Sequence, residues 1–240
     1  MSKTALLVWG GWEGHQPDLV AARFARELES NGYEVEVSDT LERFEDGDSL
    51  EGLDLIVPIW TMGEISKTAC ANVMEAVADG TGLAGCHGGM CDAFRTSTEW
   101  QFMTGGNWVS HPGGDSVTYP VQMAQTGHPL VEGIADFDVT SEQYYLHIDP
   151  AVTVLATTPF PQTRWYHSAN GHVDMPVAWC KMWGAGRVYY NALGHHDDVF
   201  DLPQAMEMMR RGLLWAGESR SAARAAGIGR EHFTSDAKMF

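Results

Sequence analysis

Along the first hundred residues, continuous apolar runs alternate with stretches in which apolar residues return every three or four positions. TALLVW (4–9), DLIVPIW (54–60) and GLAGC (82–86) are unbroken runs, as expected of strands covered on both faces. Between them, Val20, Phe24 and Leu28 mark one face of a helix opened by Pro17 and stopped at Asn31-Gly32. Ala69, Val73, Ala76 and Val77 mark a second helix, with Ser66 placed to cap it. YEVEV (33–37) alternates and so reads as a half-exposed strand nearer a sheet edge. Pro58 breaks a buried run and must fall near a strand end or a bulge. This alternation predicts βαβ crossovers and a parallel sheet with helices on both faces.

The second half is less regular. VTYPVQM (117–123), DFDVTSEQYY (136–145) and TVLATT (153–158) read as strands. MPVAWCKMW (175–183) and GRVYYNAL (187–194) read as a hairpin around Gly184-Ala185-Gly186. Leu202, Met206, Met209 and Leu213 trace a last helix, with Asp201 and Gln204 in capping-box spacing. Residues 217–240 carry little apolar pattern and are expected to form an extended tail, a plausible surface for a partner copy in a homodimer or larger assembly.

Composition narrows the picture. At 240 residues and 44% hydrophobic, the chain can bury one sizeable core, read as a domain over 1–216 with a C-terminal extension over 217–240. A net charge of −17 excludes a nucleic-acid partner that relies on clustered Lys and Arg. The four cysteines form no Cys-x-x-Cys pair, and no run reaches the roughly 18 apolar residues of a membrane helix. With no recognisable signal segment, the expected compartment is the cytoplasm.

Candidate chemistry collects where strands end. In an open parallel sheet, ligands bind beyond the carboxyl ends of the strands. Three runs end in a glycine-rich loop with a histidine: TALLVW leads to His15, GLAGC to His87 and GRVYYNAL to His195. His87 would occupy the corner of a strand–turn–helix elbow among Gly85, Gly88 and Gly89, its side chain projecting into solvent. Cys86 would turn inward as a buried structural thiol. A loop histidine bonded only to local backbone is the competing reading of His87. For His195, the carboxylate of Asp197 two residues on can fix the tautomer, or the ring can simply cap its loop.

Further candidates surround these. GGNWVSHPGG (105–114) reads as a loop, with Trp108 and His111 able to touch a ligand. Glu142 and Tyr144 share one face of an alternating segment, where the acid is either buried or a solvated strand end. Trp12 and Trp60 fall on the same presumed rim, and flat aromatic faces suit sugar surfaces or an apolar cleft alike. His15, His87 and His195 could together ligate a divalent ion such as Zn, Mn or Fe, although no tight ligand motif is present. GGWEG lacks the lysine and spacing of phosphate-binding loops.

GGWEGH, GLAGCHGGMCDAF, GGNWVSHP, GHPLVEGI, SEQYY and PVAWCKMWGAGRVYYNALGH, in this order over residues 4–216, resemble the trehalose-utilisation (ThuA-like) family. The resemblance implies a flavodoxin-like, class I glutamine-amidotransferase-like three-layer α/β fold and a role in sugar catabolism. In amidotransferases the elbow carries a cysteine; here that position falls on His87, so glutamine hydrolysis by that route is not expected. The implied ligand is a disaccharide or a 3-keto sugar derivative. His87, His195 and Glu142 would supply acid–base or metal-assisted chemistry, and His15, Trp12, Trp60, Trp108, His111, Tyr144 and Asp197 would contact substrate. A sugar-binding or regulatory module without turnover is the alternative.

Overall fold

The computed structural model describes residues 2–234. Its first half follows the hydropathy pattern: β1 (Lys3–Gly11), α1 (Pro17–Ser30), β2 (Tyr33–Ser38), β3 (Leu55–Thr61), α2 (Lys67–Ala78) and β4 (Gly82–Cys86). Pro17 sits in the first turn of α1, and Gly32 leaves it with φ of 84°. The α1 face of Val20, Phe24 and Leu28 is at most 1% exposed. Burial of that kind contributes about 1.5–3 kcal/mol per side chain. The Ser66 hydroxyl accepts from the Ala69 amide at 2.9 Å, capping α2 as expected.

After β4 come the one-turn α3 (Gly88–Cys91), α4 (Thr98–Thr104), β5 (Gly106–Ser110), β6 (Val117–Met123), β7 (Phe137–Ser141), β8 (Tyr145–Ile148) and β9 (Thr153–Phe160). The hairpin β10 (Val173–Trp183) and β11 (Gly186–Asn191) follows, then α5 (Pro203–Gly217) and α6 (Ser219–Ala226). One nine-stranded sheet runs β2-β1-β3-β4-β11-β10-β9-β6-β7. Its β2, β1, β3, β4 and β11 are parallel, and the remaining pairs are antiparallel. β2 is an edge strand, which explains its alternating pattern. Pro58 lies beyond the last β3–β4 pair, Ile56↔Leu83, where the sheet has no ladder bond to lose on that side. Helices cover both faces at β11: the Tyr189 hydroxyl donates to the Met208 carbonyl of α5, while that of Tyr190, next along, donates to the His87 carbonyl at α3. This mixed sheet with a parallel core is consistent with the class I glutamine-amidotransferase-like fold that the resemblance implies.

Several expectations are corrected. The segment 136–145 is not one strand: it breaks at Glu142–Tyr144, and β8 leaves the main sheet to pair with β5. GGNWVSHPGG is therefore partly strand rather than loop. Leu202 precedes α5 without a side-chain cap, because Asp201 is drawn instead to Arg23 at 2.9 Å. The extended tail expected from 217 onward is helical over Ser219–Ala226, with Ser219, Arg220 and Ala223 buried; the part of that expectation covering 235–240 lies outside the described residues. Among the described residues, no helix is long and apolar enough to cross a membrane.

Candidate functional site

The carboxyl ends of β1, β4 and β11 lie on one rim of the sheet, so their histidines meet. Ring centroids are 4.5 Å apart for His15–His87, 5.0 Å for His15–His195 and 5.4 Å for His87–His195. The β7–β8 break delivers Glu142 into their midst. One ligating atom from each of His15, His87, Glu142 and His195 lies within 4.8 Å of the others, and all four side chains are buried.

The elbow takes the backbone form expected of it. His87 has φ of 50° and ψ of −130°, a conformation that costs a non-glycine residue on the order of 1–3 kcal/mol. Its amide donates to the Asn191 carbonyl at 2.7 Å and its carbonyl accepts from the Tyr190 hydroxyl at 2.9 Å, which holds the corner to β11. The side chain does not project into solvent as expected; it is 1% exposed and stacks on Tyr144 with centroids 4.0 Å apart. Gly88 makes this approach possible. A Cβ there would stand 2.5 Å from Thr61 Oγ1 and 2.7 Å from His15 Nδ1. Gly88→Ala is accordingly expected to displace His15 and destabilise the fold by about 1–3 kcal/mol. Thermal unfolding beside a crystal structure checks this; an unmoved His15 would contradict it.

Hydrogen bonding fixes what His87 can present. Its Nδ1 is 2.8 Å from the Ala192 carbonyl oxygen, which only accepts, so Nδ1 carries the hydrogen. In the neutral ring Nε2 is then a bare lone pair, and it faces Glu142 Oε2 at 3.1 Å. Burial, against the weaker pull of Glu142, lowers the His87 pKa to about 3, which favours the neutral ring. His195 Nδ1 is 3.3 Å from the same oxygen, and it is buried without a hydrogen-bond partner. His15 Nε2 stands 3.9 Å from that oxygen, its Nδ1 held by the Thr61 hydroxyl at 2.8 Å. Burial also lowers the pKa of His15. For Glu142 burial acts upward, but hydrogen bonding from the neighbouring imidazoles, His15 first and then His195, outweighs it and holds the carboxyl below its ordinary range. A bare His87 nitrogen beside a buried carboxylate, with His15 and His195 close by, is a donor set suited to a metal, and this group can hold an ion.

The other expected residues are distributed around this core. His111 Nδ1 is 3.5 Å from Glu142 Oε2, with its side chain 36% exposed at the mouth. Trp12 sits edge-on to His15 at 4.7 Å, and Trp108 lies 6.4 Å from Tyr144. The Trp60 ring lies against Gly10, where a Cβ would stand 2.5 Å from it. Asp197 does not orient His195. Both its oxygens are taken by Arg23 at 2.6 and 2.7 Å. Cys86 is 3% exposed, and burial pushes its thiol up to about 12, which suits the structural role expected of it. Thr61, Gln143 and the Arg95–Asp92 pair escaped the sequence reading. Thr61 comes from β3, whose end carries no histidine to mark it, while Gln143 pins the β7–β8 break through Thr158 Oγ1 and the Gln162 amide, each at 3.0 Å.

A family model for trehalose utilisation, ThuA, matches residues 4–216. The chain belongs to the ThuA family. Among solved structures, a ThuA-like protein of Bacteroides uniformis shares 16% identity over 90% of this chain and 91% of that one, with a TM-score of 0.70. A ThuA-like protein of Parabacteroides merdae shares 16% identity over 90% of each chain, with a TM-score of 0.69. A β-galactosidase of Bacillus circulans sp. alkalophilus shares 14% identity over 95% of this ThuA chain but 32% of its own length, with a TM-score of 0.56. At these identities the likeness is one of fold. No protein with a curated description matches the sequence.

Proposed function

We propose that this ThuA-family chain is a carbohydrate-catabolism enzyme acting on a disaccharide or 3-keto-sugar derivative, with a divalent ion held by His15, His87, His195 and Glu142. The observation that carries the reading is the bare His87 Nε2 opposite Glu142 Oε2 at 3.1 Å, a pair of lone pairs that a cation between them would satisfy. Three imidazoles and one carboxylate suit Zn, Fe or Mn. Such an ion supplies Lewis acidity to a carbonyl or hydroxyl oxygen of the sugar. The protein's own part is to orient that oxygen. The Ala192 carbonyl and Thr61 hydroxyl hold His87 and His15 in place, Tyr144 packs over His87, and Trp12 offers a half-exposed ring at the mouth for a sugar face. Glutamine amidotransfer is not part of the proposal, since the elbow offers an imidazole and Cys86 is a buried thiol. The four free, buried cysteines fit the proposed cytoplasmic setting.

Elemental analysis together with a substrate panel tests this. Purified protein is expected to carry about one equivalent of a transition metal, retained through gel filtration. Incubation with disaccharides and their 3-keto derivatives, followed by NMR, is expected to give a product that disappears in His87→Ala. Less than a tenth of an equivalent, with full turnover after chelation, would remove the metal from the reading. Ligand binding without product under any condition would favour a sugar-binding module.

A further inference from the structure

His111 stands apart from the four inner side chains. It contacts the same Glu142 oxygen, yet its side chain is 36% exposed whereas that of Glu142 is 6% exposed. Its orientation is set from outside the cluster. Trp108 Nε1 lies 3.1 Å from His111 Nδ1, and an indole nitrogen only donates. Nδ1 must therefore accept, and the neutral ring carries its hydrogen on Nε2. With Nδ1 turned inward, the Nε2 edge is what the ring leaves to a ligand at the mouth.

The indole is itself held. Trp108 lies on β5 in register with Leu146 of β8, the strand that starts just after Tyr144. The Arg95 guanidinium packs on its face at 4.3 Å and forms a bidentate pair with Asp92, a residue only 3% exposed. Tyr144 packs near both imidazoles, 4.0 Å from His87 and 6.0 Å from His111, within 26° of parallel to each. His111 thus belongs to the stack that contains His87, but its proton position is dictated by Trp108.

We propose that His111 is the substrate-facing hydrogen-bond donor of the site, its Nε2–H donating to a carbonyl or hydroxyl oxygen, with Trp108 and Arg95 as positioning residues that fix its tautomer. The sugar oxygen as acceptor rests on the carbohydrate reading above; the tautomer does not. Long-range proton–nitrogen NMR on labelled, zinc-loaded and metal-free protein reads the tautomer directly in the wild type, without any variant. The expected result is a His111 ring with Nε2 protonated and Nδ1 bare. Trp108→Phe removes the donor, and is expected to give a mixture of tautomers with unchanged metal content. A wild-type ring protonated on Nδ1, or an unchanged tautomer in Trp108→Phe, would overturn the assignment. With a sugar that is turned over, Trp108→Phe is expected to raise KM about tenfold with a smaller change in kcat. If no sugar is turned over while the tautomer is as stated, the carbohydrate reading fails and the donor assignment stands.

Discussion

Glu142→Gln is expected to lose metal binding by about 100-fold or more while leaving the metal-free protein no less stable than the wild type. The reasoning starts from the nitrogens around Glu142 Oε2. His87 Nε2 at 3.1 Å and His111 Nδ1 at 3.5 Å have no hydrogen to give in the neutral rings, since Ala192 and Trp108 fix the opposite arrangement. Without an ion, Glu142 is a buried anion with these two neighbouring nitrogens unable to donate to it, a situation whose desolvation cost is several kcal/mol. The amide carries no charge, and its N–H groups can donate to the bare His87 nitrogen, a bond that contributes about 1 kcal/mol. With an ion, the same substitution removes the only anionic ligand. Turnover should fall to background. Isothermal titration with zinc and calorimetric unfolding of chelated protein measure the two halves separately. A metal-free unfolding temperature several degrees below wild type, with metal content unchanged, would make Glu142 a structural residue and sink the metal reading.

The parallel half of the fold was legible because each of its central strands is buried on both faces and so writes an unbroken apolar run. The antiparallel half was not. Ser141-Glu142-Gln143 is a short polar run with no glycine or proline to mark a break, yet the chain leaves the sheet there because Gln143 is fastened to Thr158 and Gln162. Those partners lie 15 and 19 residues away, and no local pattern announces them. The same non-local pairing hid β5, whose partner β8 is about 40 residues on. At the site, the glycine spacing located the His87 corner, and strand ends located His15 and His195. The direction of the His87 side chain was misjudged: an elbow fixes only the backbone, and whether its side chain meets water depends on what covers the corner, here Tyr144. Asp197 was assigned by proximity in sequence to His195, but Arg23 from α1 supplies a stronger, bidentate partner.

Chelation should lower the unfolding temperature of the wild type by about 10 °C, and should leave His87→Ala unaffected. An ion bound at 1,000 times its dissociation constant stabilises the native state by about 4 kcal/mol, and for a chain of this size each kcal/mol moves the midpoint by about 2–4 °C. The effect is large because the ligands come from four separate places in the chain, His15, His87, Glu142 and His195, all brought together only by folding. An unfolded chain offers no equivalent site, so nearly all of the binding energy appears as stability. His87→Ala removes the ligand whose lone pair is best defined, and its midpoint should be the same with and without chelator. Cys86→Ala is the control beside it. The thiol is one residue away but turned into the core, where burial pushes it up to about 12, so this variant should keep the full response to chelation. A response lost in Cys86→Ala but kept in His87→Ala would move the metal to the thiol side of the elbow. Wild-type protein indifferent to chelation and metal addition alike would leave the histidine cluster without an ion and return its chemistry to the imidazoles alone.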